Sequence, residues 1–390
     1  MKHLYLLLLI FLTAGLYTAS AQGITTSSMT GVVTNDKGET LPGATVSAKH
    51  QPTGKEYGVV TNEKGIFYIR NMNVGGPYVI DVNFVGYRSF KLSEVYLQLG
   101  QEFKVTAELS EDAVQLEGVD IIADQDDIFD GNRMGAKTVI SGEVIQDIAP
   151  TASRNLTDYL RYTPQAGLVE TGDGPAISFL GQNNRFNSIF IDGAVNNDVF
   201  GLAGSGTNGG QSGIQPISPD AFEQLSVSLS PYDVTIGGFT GGGINAVTRS
   251  GTNNIEGSAY YFFRNQGLAG RTPTDNEDFD RQRLSDFTAQ TVGFRVGGPI
   301  IKDKLFFFLN GEIQRDEIAQ PFDESSYRGD ATPAELDNLR QTVIDRYDYD
   351  PGGFRDNTRE QNGNKIFAKL NWNINNNHQI SLRHSYSYAE

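Results

Sequence analysis

Four histidines and no cysteine stand beside 47 carboxylates in this 390-residue chain, and their spacing closes most catalytic options. Without cysteine there is no thiolate nucleophile, no disulfide, no thiolate metal site and no lipid anchor at an N-terminal cysteine. His378 and His384 lie six apart, the first in a turn and the second in a strand, which is poor spacing for a shared metal. Asp126 to Asp130, followed by Gly131, has the look of a calcium loop. An EF-hand also needs an oxygen ligand two residues after Asp126 and an acidic residue at its twelfth position, and Ile128 and Lys137 stand there. No nucleophile, base and metal come together in the pattern of a hydrolase. The expectation is a protein that is not an enzyme and has no cofactor.

A formal charge of −16 excludes nucleic acid as a partner, because phosphate binding requires a basic surface. The remaining chemistry is that of extended backbone. Val119-Asp120-Ile121-Ile122 is the one apolar patch in an acidic stretch that also carries Asp124, Asp126, Asp127 and Asp130. Such a patch is a strand within a linker, the last strand of a preceding domain, or a segment for pairing with a partner.

The elements around it follow from local pattern. Lys2 and His3, the apolar run 4–16 and the Ala19-Ser20-Ala21 site before Gln22 read as a cleaved signal peptide. The run is shorter than the roughly 20 residues of a spanning helix. No later segment has such a run, so membrane embedding would have to use a β-barrel. Short strands separated by Gly and Asn/Asp turns fill residues 22–110 and predict a β-sandwich. The near-repeat of residues 32–38 and 59–65 reads as two similar turns in it, since a repeat architecture would recur at least three times. The frame Gly31-Val32-Val33, Leu41-Pro42-Gly43-Ala44 and Val85-Gly86-Tyr87 resembles the carboxypeptidase regulatory-like domain. His50 is the only histidine there, so that resemblance brings no zinc peptidase chemistry. Carbohydrate contact stays open, because this fold class includes sugar-binding modules.

Residues 111–133 read as an acidic linker. A mixed α/β segment follows over 134–250, with helices at 141–147 and 153–160, the second capped by Ser153. Its strands fall at 176–180, 188–192 and 224–229, with a flexible Gly/Ser/Asn loop at 201–213. The glycine-dense run 237–251 then leads into the alternating strand 255–264. From 251 to 390 five segments alternate with a period of two. One sets Ile366, Ala368, Leu370, Trp372 and Ile374 against Lys365, Phe367, Lys369, Asn371 and Asn373. Tight turns at 299–303 and 375–377 alternate with long polar loops, as in a bacterial outer-membrane barrel.

Leu156-Thr157-Asp158-Tyr159-Leu160, Ser188-Ile189-Phe190-Ile191-Asp192-Gly193 and Phe222-Glu223-Gln224-Leu225, leading to Gly241-Gly242-Gly243-Ile244-Asn245, resemble in order the plug of a TonB-dependent outer-membrane receptor. With the signal peptide and regulatory-like domain, the arrangement is similar to Bacteroidetes-type receptors of the Oar-like branch. The expected fold is mainly β: a sandwich, an α/β plug and the first five or so strands of a transmembrane antiparallel barrel. The resemblance implies uptake through a plugged barrel in the outer-membrane lipid, energised by TonB. The substrate is unidentified, with an oligosaccharide or a peptide as the classes in view. It also implies a TonB box, for which Val119, Asp120, Ile121 and Ile122 are the candidates, and strand addition as its mode of binding. Leu229-Ser230-Pro231-Tyr232 stands where siderophore receptors carry an Arg-Gly-Pro-rich turn, which sets a siderophore cargo in question. The competing expectation is a secreted or surface β-rich module that binds carbohydrate or protein. Plugged barrels have about 22 strands, so an N-terminal fragment is expected, followed by several hundred further residues.

Overall fold

The computed structural model describes residues 23–111, 119–122, 137–147, 154–171, 174–230, 237–271, 286–319, 327, 329–353 and 358–390. Ala19, Ala21 and Gln22 at the expected signal cleavage site lie outside the described residues, as do the acidic residues 124–130 and the segment 231–236. The chain divides into two compact units. One comprises residues 1–257, 295–310 and 367–385, and the other residues 258–294, 311–366 and 386–390.

The first unit opens with the sandwich. β1 (Ser27–Asn35), β4 (Ile66–Met72) and β7 (Glu102–Leu109) form one sheet in the order β4-β1-β7. β2 (Thr45–His50), β3 (Lys55–Val60), β5 (Gly75–Asn83), β6 (Phe90–Leu97) and β8 (Val119–Ile122) form the other, ordered β3-β2-β5-β6-β8. Period-two alternation puts Tyr78, Ile80 and Val82 of β5 on one face, and all three are fully buried with Val46, Ala48 and Phe67 in one core. The near-repeat is one turn used twice. Asn35 Oδ1 accepts from the Lys37 and Glu39 amides at 3.0 and 2.8 Å, and Asn62 Oδ1 from those of Lys64 and Ile66 at 2.9 and 3.0 Å.

Next comes the α/β domain. β9 (Lys137–Ser141), β12 (Ser188–Ile191), β13 (Ala194–Val195), β14 (Phe222–Ser228) and β15 (Gly243–Thr248) form a sheet ordered β13-β12-β15-β14-β9, beside a β10 (Ala166–Thr171)–β11 (Gly174–Phe179) hairpin. Two short helices, α1 (Gly142–Asp147) and α2 (Leu156–Leu160), pack Ile145, Tyr159 and Leu160 into its core. α2 starts two residues later than a Ser153 cap would place it. Asn155 is the cap residue, and its N–H is taken by Asp158 Oδ2 at 2.9 Å. Every residue of β15 and nearly all of β14 are buried, including Ser226, Asn245 and Thr248, so this sheet is covered on both faces by partly polar surroundings. Gly242 lies so close to the Phe179 ring that a Cβ there would overlap it, which is why the strand entry is glycine-dense.

β16 (Glu256–Asn265), β17 (Phe287–Ile301), β18 (Leu305–Ala319), β19 (Thr358–Asn375) and β20 (His378–Ala389) form a third sheet in sequential order. Its burial is inverted. Asn310, Glu312, Gln314, Lys365, Lys369 and Asn373 are buried, whereas Ile366, Leu370, Trp372 and Ile374 are 51, 41, 49 and 42% exposed. Glu312 Oε1 accepts from Lys365 Nζ at 2.6 Å and its Oε2 from the Tyr260 hydroxyl at 2.7 Å, so the buried charges are paired. The long loop after β18 holds a helix that composition alone hid, α3 (Pro333–Tyr347). Its start was legible as Thr332-Pro333-Ala334-Glu335, a capping box in which Glu335 Oε2 accepts from the Thr332 N–H at 2.7 Å. No helix among the described residues is long and apolar enough to cross a membrane.

Candidate functional site

The β12–β13 hairpin closes on Asp192-Gly193, with φ of +46° and +82°. Two left-handed residues in a two-residue loop are the demand of a type I′ turn, and Asp-Gly meets it at low cost. The turn directs the Asp192 carboxylate at the end of β15. There it accepts from the Thr248 N–H at 2.8 Å and the Thr248 hydroxyl at 2.7 Å. Arg383 Nη1 of β20 donates to it at 3.1 Å, and Lys369 Nζ of β19 lies 3.6 Å away. Lys369 also donates to the Thr248 carbonyl at 3.0 Å and its hydroxyl at 2.9 Å. The threonine hydroxyl thus passes its own proton toward the carboxylate while accepting from the ammonium. One carboxylate of the α/β domain is held between two cations of the third sheet. This is a charge tether.

A second polar knot lies on the same sheet. Arg249 Nη1 pairs with Glu223 Oε2 at 3.3 Å. Oriented by its neighbours, the Gln146 amide oxygen accepts from Arg295 Nη1 and Nη2 at 2.8 and 3.0 Å and from Arg249 Nη2 at 3.0 Å. Gln224, the next residue along, ties the sheet to the sandwich. Its Oε1 accepts from the Leu99 N–H at 2.8 Å and its Nε2 donates to the Leu97 carbonyl at 3.4 Å. Lys137 Nζ donates to the Leu99 carbonyl. Gly23 and Ile24 donate to the Gly193 carbonyl at 2.9 Å and to Asn245 Oδ1 at 3.2 Å. A cleft of about 960 Å³ is lined by Tyr96, Glu223, Arg249, Arg295 and Lys369 among others.

Other loops of the α/β domain are tied together by hydrogen bonds. Arg185 Nη2 donates to the Gly201 carbonyl at 2.9 Å and Asn184 Nδ2 to that of Gly204 at 3.1 Å. Asp198 accepts from the Phe200 and Ala203 amides at 3.0 and 2.6 Å. Burial works to raise the Asp198 carboxyl, but these backbone donors outweigh it and hold the group below its ordinary value. In the loop 201–213, Ala203, Gly204, Thr207 and Gly210 are buried.

The candidate segment Val119, Asp120, Ile121, Ile122 is not a loose linker strand. It is β8, paired in parallel with β6 in the register Phe90↔Val119, Lys91↔Asp120, Leu92↔Ile121 and Ser93↔Ile122. His378 opens β20 and His384 lies within it, and the described residues contain no group of three or more His, Cys, Asp or Glu side chains fit to hold a metal. Asp192, Thr248, Lys369 and Arg383 were visible only as turn and strand positions. The signal that marks them is a lysine and an arginine on the polar faces of strands whose other faces are apolar.

Comparison with known proteins gives each part a relative. Residues 28–110 match the carboxypeptidase regulatory-like domain, 132–244 the TonB-dependent receptor plug domain and 247–327 an outer membrane beta barrel domain. Over 328 residues the chain is 27% identical to the TonB-dependent transporter Oar of Myxococcus xanthus, covering 79% of this chain and 28% of that protein. Over 184 residues it is 28% identical to the "Probable TonB-dependent siderophore receptor PirA" of Acinetobacter baumannii, covering 44% of this chain and 22% of that protein. The chain spans about a quarter of the length of these curated relatives. Among solved structures, the siderophore receptor PirA from Pseudomonas aeruginosa is 15% identical with a TM-score of 0.40, covering 66% of this chain and 36% of that one. The outer membrane transporter YddB from Escherichia coli is 14% identical with a TM-score of 0.44, covering 65% of this chain and 33% of that one.

Proposed function

We propose that this chain belongs with the TonB-dependent outer-membrane receptors and supplies the plug and first wall strands of an energised importer. The observation that carries this reading is the inside-out sheet. Burying Glu312, Lys365 and Lys369 while exposing Ile366, Leu370, Trp372 and Ile374 suits a strand with lipid on one side and a filled lumen on the other. Asp192 of the plug meets the polar side of that wall through Lys369 and Arg383, so passage requires the plug to shift or deform. No chemical step on the cargo is involved.

The leader through Ala21 directs export, with cleavage before Gln22, and the mature sandwich, linker and plug divide near residues 110, 133 and 250. The energy comes from TonB, which takes up an extended segment by strand addition. We assign residues 119–122 that role. For the cargo we infer an oligosaccharide or a peptide, the departure at Leu229-Ser230-Pro231-Tyr232 disfavouring a siderophore.

Fractionation tests the location: heat-modifiable protein in the outer membrane is expected, and recovery from the soluble periplasm would overturn the reading. Replacing Val119 and Ile121 by proline removes two backbone donors from the segment. Uptake and capture of the periplasmic domain of TonB are expected to fall at least tenfold with the protein still in the outer membrane. Unchanged capture would remove the assignment of residues 119–122.

A further inference from the structure

The sandwich sheet without β8 would end on β6, a row of backbone donors and acceptors open to any extended chain. β8 covers that edge over four residues in parallel register. The covering segment is the same one that the proposed coupling to TonB requires in extended form. Two open strand edges, each a liability alone, are closed by each other.

We propose that the β6 edge of the regulatory-like domain is a storage site for residues 119–122, and that TonB must draw this segment off β6 in order to bind it. The proposal rests on the assignment of that segment to TonB. Three features favour exchange over permanent attachment. The pairing is parallel, the weaker of the two ladder types per residue. Among the described residues it runs over four register pairs, and it lies at the end of a sheet, where local opening is easiest. It also follows a closed end of the domain: β7 ends at Leu109, with Arg88 N–H donating to the Ser110 carbonyl and a bridge between Tyr87 and Glu111, before β8 begins. Removing β8 therefore exposes the β6 edge.

The chain has no cysteine, so a cross-link can be placed without background. Lys91→Cys with Asp120→Cys, and separately Ser93→Cys with Ile122→Cys, join residues that face each other across the β6–β8 pair. Lys91→Cys with Ile121→Cys, out of register, is the control. In the full chain in outer membranes, mild oxidation is expected to cross-link both in-register pairs and not the control. The oxidised protein is expected to lose capture of the purified periplasmic domain of TonB by at least tenfold, with recovery on reduction. Failure of both pairs to cross-link overturns the storage site, whatever binds TonB. Cross-linking with unchanged capture overturns the competition. If the wild-type chain does not capture TonB at all, the underlying assignment fails and the competition with it, while cross-linking still reports the docking on β6.

Discussion

Lys369 Nζ and Asp192 Oδ1 stand 3.6 Å apart with side chains only 7 and 15% exposed, one on a wall strand and one on a plug turn. Each has further partners: Thr248 for both, and Arg383 for the carboxylate. The link is thus a small buried network, in which losing one member leaves the others charged and poorly solvated.

Asp192→Asn keeps the volume and removes the charge that two cations share. We expect it to cost about 3 kcal/mol, in the range for breaking a buried pair. Lys369→Met alone leaves Asp192 its arginine and costs less. The double variant is expected to cost less than the sum of the singles, as urea unfolding of the detergent-extracted protein would measure. Strict additivity would mean that the two residues do not act on each other.

Trp372 is the chain's single tryptophan and is 49% exposed on the apolar side of β19. In bilayers its emission is expected to be blue-shifted, quenched strongly by brominated acyl chains and weakly by aqueous iodide. The reverse pattern would place this face in water. On the same face, Leu370→Arg is expected to cost about 2–4 kcal/mol if the residue lies near the bilayer midplane.

His50 of the sandwich is buried against Tyr78, with ring centroids 4.8 Å apart, and its Nδ1 is 2.7 Å from the Thr53 hydroxyl. Burial first, and the charge of Lys55 second, hold its pKa down at about 4 instead of the ordinary 6.5. Between those values the unfolded chain binds a proton that the folded one refuses, so stability rises with pH through this window. The contribution is complete above about pH 6.5 and lost as pH falls to about 4, roughly 3 kcal/mol in all. Denaturant midpoints measured from pH 7.5 to 4 should carry this slope, and His50→Asn should flatten it.

Gly242→Val sets a side chain into the ring of Phe179, itself fully buried. Overpacking of this kind costs about 1–3 kcal/mol. A lowered melting temperature is expected, and an unchanged one would mean that the strand entry has slack.

Sequence alone determined the modular order and the character of each module, because periodicity is written locally. The alternation in 365–374 identified a two-faced strand, and the order of Ser188 to Gly193 and Gly241 to Asn245 matched a plug. Asn-x-Lys-Gly turns at 35–38 and 62–65 follow from backbone chemistry confined to a few residues. The capping box at 332–335 is equally local, although its acidic setting reads as loop. Tertiary structure decided whatever depends on residues distant in the chain. That Asp192 faces Lys369 and Arg383 follows from a turn meeting two strands more than 170 residues later. That Gln224 closes on the backbone of Leu97 and Leu99, and that residues 119–122 leave the linker to pair with β6, are choices among several possible partners. Hydrogen-bond donors and open strand edges carry no address in the sequence, so only the packed chain selects which of them meet.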